Sequence, residues 1–217
     1  MKKMPKSVES NQIAIHTRLE QTVRKHLQHP FQKPIANHTE AAFSAVEAQL
    51  ESNDRPIILD ACCGTGDSSR KLAQECPEHW VVGVDKSAHR LEKERPMETP
   101  SNLILVRADL NDFYRLAARA GWRPAQHFIL YPNPWPKAEH LGRRWHGAPV
   151  FPDIIALGGQ LELRSNWKIY LEEFAAALEI AGHKSEVACY EPEPYLTLFE
   201  KKYHQSGQQI WRLVTTL

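Results

Sequence analysis

A short apolar run, Ile57-Ile58-Leu59, leads straight into Asp60-Ala61-Cys62-Cys63-Gly64-Thr65-Gly66-Asp67, and a stretch able to start a helix, Ser68 to Gln74, follows at once. Strand, glycine bend and helix in that order open a βαβ unit, which demands parallel strands with the connecting helix packed on a sheet face. The pattern then repeats. Val81-Val82-Gly83-Val84 is a second buried strand ending in Asp85, residues 102–109 give a third, residues 125–132 a fourth, and the alternating stretch 158–166 a fifth. A helix from roughly Trp167 to Ala181, closed by Gly182, follows the fifth strand, and 184–190 and 208–217 read as two late strands. Before the first strand, residues 37–52 carry Ala41, Phe43, Val46 and Leu50 at near-helical spacing, with Thr39 or Asn37 as the cap. The prediction is an α/β fold with a seven-stranded, mostly parallel sheet, helices on both faces and an antiparallel hairpin at the end.

The 217 residues suit one domain, residues 36–217, preceded by an extension, residues 1–35. That extension holds seven Lys/Arg (Lys2, Lys3, Lys6, Arg18, Arg24, Lys25, Lys33) against Glu9 and Glu20, although the whole chain has a net charge of only +1. A basic arm beside a neutral body is compatible with phosphate contact; a solvated, disordered tail is the plainer reading. No apolar run approaches the ~18 residues of a membrane span, and the basic start lacks the apolar core of a secretory signal. Cys62, Cys63, Cys76 and Cys189 show no C-x-x-C spacing, which argues against a zinc site or disulfide framework and for a reducing cytoplasm. The eleven histidines form no metal-binding pair with a carboxylate, so no metal is expected and they read as surface or RNA-contact residues. Cys62 and Cys63 flank the bend, with no evident base to make either a nucleophile.

Gly64 and Gly66 let the backbone turn sharply and approach a ligand closely. Asp85 ends the second strand, 25 residues after Asp60, where a carboxylate can accept from both hydroxyls of a ribose, and Asp109 ends the third, where it can meet an adenine amino group. The nicotinamide fingerprint is incomplete because position 69 is Ser, and a G-x-x-x-x-G-K-[ST] phosphate loop is absent. The D-x-x-x-G-x-G pattern with acids after three strands instead resembles the Rossmann-like class I fold of S-adenosylmethionine-dependent methyltransferases. The resemblance implies that Asp60, Cys63, Gly64, Gly66, Asp85, Lys86, Asp109 and Leu110 hold that cofactor, with Asp60 on its amino group.

After the fourth strand comes Y-P-N-P-W-P-K-A-E-H-L-G-R-R-W, residues 131–145, which packs three prolines, two tryptophans, three cations and a histidine into one loop. It resembles the P-D-P-W-x-K-x-x-H-x-x-R-R signature of the tRNA (guanine-N7) methyltransferases. G-G-Q-L-E-L-R-S-N-W-K-I-Y resembles that family's G-G-x-L-x-x-x-T-D-x-x-x-Y, and T-L-F-E with the later G and I-W resembles its T-x-F-E segment. The likeness covers roughly residues 55–217 in order. It implies a cytoplasmic enzyme, expected to be a monomer, that acts on tRNA or another structured RNA. His140, Arg143, Thr197 and Glu200 match positions that act on the tRNA or its target guanine. The chemistry of the side chains agrees: Arg143 and Arg144 offer planar forks for phosphate, Trp135 a flat apolar wall, and Glu200 an acceptor for guanine N1–H and its amino group.

Two positions depart from the family: Asn133 stands where it has Asp in P-D-P-W, and Ser165-Asn166 where it has Thr-Asp. Guanine N7 attacks with its lone pair and becomes cationic, so the loss of two carboxylates removes ~2–4 kcal/mol of transition-state stabilisation. The chain therefore reads as a divergent member with Asn133 and Asn166 among its catalytic positions. Either Glu200 suffices, or the substrate differs, or turnover is poor. Asn133-Pro134-Trp135 also approaches the Asn-Pro-Pro-aromatic loop of enzymes that methylate exocyclic amines, with the aromatic one residue early. A cofactor- and RNA-binding protein that has lost catalysis is a third reading. Methylation of a small molecule is a fourth, disfavoured by Arg143-Arg144 and the basic arm.

Overall fold

The structure, a computed structural model, describes residues 7–51, 54–94, 96 and 98–217. Seven strands form one sheet: β1 (Ile57–Ala61), β2 (Trp80–Asp85), β3 (Leu103–Arg107), β4 (Gln126–Leu130), β5 (Gln160–Ser165), β6 (Glu186–Tyr190) and β7 (Ile210–Thr216). Their order is β3-β2-β1-β4-β5-β7-β6. The first five are parallel, and β7 runs antiparallel between β5 and β6, so the late pair is antiparallel as the sequence predicts. The predicted third to seventh strands overshoot the paired residues by at most two positions at either end, where the extended backbone leaves the ladder, while the first two fall one or two positions short.

Eight helices accompany the strands among the described residues: α1 (Leu19–Gln28), α2 (Asn37–Leu50), α3 (Asp67–Glu75), α4 (Ala88–Leu91), α5 (Leu110–Arg119), α6 (Phe151–Ala156), α7 (Lys168–Ile180) and α8 (Leu198–Gln205). Strand alternation divides the core. Leu59, Val82 and Ile104 point to one face, where they meet α1, α2, α5, α6 and α7. Their neighbours Ile58, Val81 and Leu103 point to the other, where Leu72 and Ala73 of α3 and Leu196 ahead of α8 cover them. Because β1–β4 are buried on both faces, they read as continuous apolar runs rather than alternating ones.

Two local expectations change. The cap of α2 is neither Thr39 nor Asn37: the helix begins at Asn37, and Ala36 in the cap position makes no side-chain bond. Thr39 is buried, and its hydroxyl accepts from the Asp109 backbone N–H at 3.3 Å, tying α2 to the end of β3. The described part of the basic extension is packed on the body. Leu19 and Val23 of α1 lie in the core against α7, and Arg115 stacks over the Phe31 ring at 4.7 Å while donating to the Lys33 carbonyl. Lys2, Lys3 and Lys6 lie outside the described residues. Among the described residues, no helix is long and apolar enough to cross a membrane, and no group of three His, Cys, Asp or Glu is placed to hold a metal.

Candidate active site

The C-terminal ends of β1 to β5 share one rim, and the sequence motifs sit along it. At β1 the chain turns back through three left-handed residues, Cys62 (φ 61°), Gly64 (φ 63°) and Gly66 (φ 72°). Two of the three are glycines, for which this region carries no steric cost. Gly64 N–H donates to Asp85 Oδ2 at 3.1 Å and Cys63 N–H to the Val84 carbonyl at 3.1 Å, so the bend is pinned to the end of β2. Arg70 reaches back from α3 and donates to the carbonyls of Thr65 and Gly66, both at 3.2 Å.

Asp60 lies fully buried beneath this bend. Its Oδ2 accepts from Ser68 and Ser69 hydroxyls, each at 2.6 Å, while its Oδ1 is buried and finds no donor among the described residues. Burial raises the Asp60 carboxyl to about 6, against the lowering effect of the two serine bonds and with a further rise from the charge of Asp85. Ser69, which breaks the nicotinamide fingerprint, thus has a role of its own as a donor to Asp60. Gly83 makes that contact possible, since a Cβ there would lie 2.4 Å from Ser69 Oγ. Asp85 Oδ1 accepts from Ser87 N–H at 2.8 Å, and Arg90 approaches Oδ2 at 3.4 Å. Lys86 is exposed beside it. Asp109 caps α5 by accepting from Asn111 N–H at 2.9 Å, and Leu110 is buried behind it. Burial, with Asp85 and Asp60 nearby, pushes the Cys62 thiol up to about 12 and Cys63 well above its ordinary range, so both stay protonated and neither is a nucleophile. A half-satisfied buried carboxylate under a glycine bend, with a second carboxylate on the next strand, fits a ligand that carries an ammonium group and a ribose.

β4 ends in the adjoining half of the rim. Tyr131 (φ 51°) and Trp135 (φ 44°) are held left-handed without being glycine, a strain of about 1–2 kcal/mol each. Trp135 is the centre of one cluster: Arg143 is exposed and lies over its ring at 4.7 Å, and His140 meets it edge-on at 5.5 Å. Asn133 is exposed, with Oδ1 accepting from Trp135 N–H at 3.4 Å. A second cluster surrounds α8. Thr197 caps that helix by accepting from Glu200 N–H at 3.0 Å. Glu200 itself is fully buried and accepts from Tyr131 Oη (3.0 Å), Arg164 Nη1 (2.9 Å) and Leu196 N–H (2.6 Å). Those three donors occupy it, so in this structure it has no open face for a guanine edge and instead ties Tyr131 to α8. Asn166, after β5, donates to Gln208 Oε1 at 2.8 Å.

Arg144 corrects the sequence reading most sharply. It is fully buried rather than open to phosphate, and all five of its N–H groups are used. Nε and Nη2 donate to the Trp135 carbonyl (3.2 and 3.1 Å), Nη2 also to the Lys137 carbonyl (3.1 Å), and Nη1 to Gln12 Oε1 (3.0 Å) and Glu173 Oε2. Its guanidinium also lies over Trp167 at 4.9 Å. Glu173, equally buried, receives His146 Nε2, His16 N–H and Gln12 Nε2 as well. Burial alone would raise the Glu173 carboxyl; these donors, His146 and Arg144 foremost, outweigh it and hold the group at about 2. His146 and His127 are likewise core residues, not surface ones. Burial lowers both imidazoles, His127 to about 3 with its Nε2 against Tyr114 Oη at 2.8 Å. Sequence reasoning missed Gln12, Arg70, Arg164 and Glu173. Glu173 alone left a trace, a carboxylate on the apolar stripe formed by Tyr170, Phe174 and Ala177 of α7.

Curated relatives match about three quarters of this chain. It is 27% identical over 169 residues to the tRNA (guanine-N(7)-)-methyltransferase of Rubrobacter xylanophilus, covering 75% of this chain and 74% of the relative. The namesake enzyme of Leifsonia xyli is 28% identical (73% and 74% covered), and that of Neisseria meningitidis serogroup C 26% (79% and 77%). Among solved structures, the 16S rRNA methyltransferase KamB superposes with a TM-score of 0.59 at 20% identity, covering 85% of this chain and 95% of that one. The 16S rRNA (adenine(1408)-N(1))-methyltransferase of Catenulisporales acidiphilia gives 0.57 at 16% (79% and 90% covered). These two likenesses show the fold. With the match spanning residues 54–213, the chain belongs to the family described as "Putative methyltransferase".

Proposed function

We propose that the protein transfers a methyl group from S-adenosylmethionine to N7 of a guanine in tRNA, acting as a monomer in the cytoplasm. The observation that carries this reading is the adjacency of β1 and β4: the half-satisfied Asp60 under its glycine bend and the Trp135–His140–Arg143 cluster leave neighbouring strands at one rim. The shared name of the curated relatives supports the choice of substrate.

When bound, the donor supplies a methyl group on a cationic sulfur. Asp60, Asp85 and Asp109, with the backbone of Cys63–Gly66, Lys86 and Leu110, would hold it. Guanine N7 needs no base, because its lone pair is free. The work left to the chain is therefore to hold the purine and to stabilise the positive charge it gains. Arg143 holds phosphate and Trp135 walls the pocket, with His140 fixed against that wall. Asn133 and Asn166 present amide dipoles where the family has carboxylates. Thr197 and Glu200 shape the far wall by setting α8 against Tyr131. Incubating the protein with labelled donor and unmodified tRNA, then digesting the RNA, tests the reading. Labelled 7-methylguanosine is the expected product. An N-methylated exocyclic amine would move the reaction to the other base atom, and no label in RNA would remove the proposal.

A further inference from the structure

Four consecutive residues of the substrate loop, Trp135 to Ala138, form no strand, and their backbone groups find partners elsewhere. The Trp135 and Lys137 carbonyls accept from Arg144, the Pro136 carbonyl from Ser10 Oγ (2.5 Å), and Ala138 N–H donates to Asn11 Oδ1 (3.2 Å). Gln12, next along the same N-terminal segment, touches both members of the buried ion pair: Oε1 accepts from Arg144 and Nε2 donates to Glu173. His16 N–H closes the segment onto Glu173 at 2.9 Å. Ser10, Asn11 and Arg144, the last held by Gln12, together therefore do for this loop what a neighbouring strand does for a sheet edge.

We infer that residues 10–16 are part of the substrate site: Gln12, acting through Arg144 and Glu173, is a positioning residue that sets the backbone on which Trp135, His140 and Arg143 face the RNA. The inference rests on the proposed RNA-methylating activity for its kinetic consequence, but its structural half stands apart from it. Ser10 and Asn11 hold the outer side of the loop and Arg144 the inner side. Removing the strap leaves two backbone groups unpaired and the guanidinium short of one acceptor, without disturbing the donor bend.

The test compares the full-length chain with Gln12→Ala and with the double variant Ser10→Ala/Asn11→Ala, both of which keep the Arg144–Glu173 pair. Three quantities are read: amide hydrogen exchange across 131–145, the Kd for S-adenosylhomocysteine, and KM and kcat on tRNA. The expected result is faster exchange confined to the loop, an unchanged cofactor-product Kd, and a KM for tRNA raised about tenfold in Gln12→Ala, with Gln12→Asn recovering part of it. Unchanged exchange in the loop overturns the inference. So does exchange that rises throughout the protein with loss of cofactor-product binding, which marks a merely structural strap. If the unaltered protein methylates no RNA while Gln12→Ala still loosens the loop, the proposed function falls and the coupling of strap to loop stands.

Discussion

The bend after β1 and the loop after β4, proposed above to hold donor and substrate, leave adjacent strands at the same rim but are stabilised over different ranges of sequence. Cys63, Gly64 and Gly66 are pinned by Val84, Asp85 and Arg70, none more than about two dozen positions away. Trp135 to Ala138 rely on Ser10, Asn11 and, through Arg144, on Gln12 and Glu173, at separations of up to 132 residues. A site assembled locally can be rigid as soon as its βαβ unit folds. A site assembled from both ends of the chain takes shape only with the whole domain. The same contrast separates two neighbours in sequence: Arg143 faces solvent on Trp135, and Arg144 is entirely enclosed.

The comparison is broken most severely at Arg144. Arg144→Ala takes the guanidinium from buried Glu173, leaving it only the His146, His16 and Gln12 donors, and urea unfolding should register a loss of about 3–5 kcal/mol; a loss under ~1 kcal/mol would mean the loop does not depend on that pair. On the donor side, Asp60→Asn should leave the unfolding midpoint near its original value but weaken calorimetric binding of S-adenosylhomocysteine about 100-fold. The same carboxylate predicts a pH dependence. Its folded pKa is raised, to about 6, so the folded protein holds the proton more tightly than the unfolded chain. The favourable contribution to stability is therefore complete at low pH and declines as pH rises through about 6, while binding of an ammonium-bearing ligand to the ionised form strengthens across that window. Affinity at pH 5 should be about tenfold below that at pH 7, and Asp60→Asn should flatten the profile; a profile unchanged by the substitution would assign the titration elsewhere.

Smaller effects sharpen the comparison on the substrate side. Asn133→Asp with Asn166→Asp should raise kcat/KM on tRNA about fivefold or more by restoring negative charge beside the developing cation. Both sites accommodate the swap. A carboxylate oxygen at position 133 would still accept from Trp135 N–H, and the Gln208 amide can turn to donate to a carboxylate at position 166. No gain would show that the amides already suit the substrate. Arg143→Ala should raise KM a fewfold and reduce the salt dependence of RNA binding by about one unit of slope, with stability unchanged.

What could be read from sequence follows the same division between near and far. β1 to β4 announce themselves as apolar runs because they are buried on both faces, β5 does so by its alternation, and the bend through Gly64 and Gly66. Asp60 and Asp85 were readable because their partners lie within the same βαβ unit. Nothing local distinguishes Arg144 from Arg143, or marks His127 and His146 as core residues, because their burial is decided by Glu173 and Tyr114 arriving from other elements. The helix Leu19–Gln28 was hidden for a related reason. Leu19 and Val23 are a sparse apolar stripe in a basic segment, sufficient only because α7 offers a complementary surface.

β7 pairs with β5 on one side and β6 on the other, and among the described residues β6 has no second neighbour. During synthesis, β6 can therefore gain its partner strand only once residues 210–216 have emerged and β7 has inserted between it and β5. Until that insertion, the stretch 186–209, including the helix that carries Glu200, has no ladder to anchor it, and the rim cannot be complete in any nascent fragment that stops short of β7.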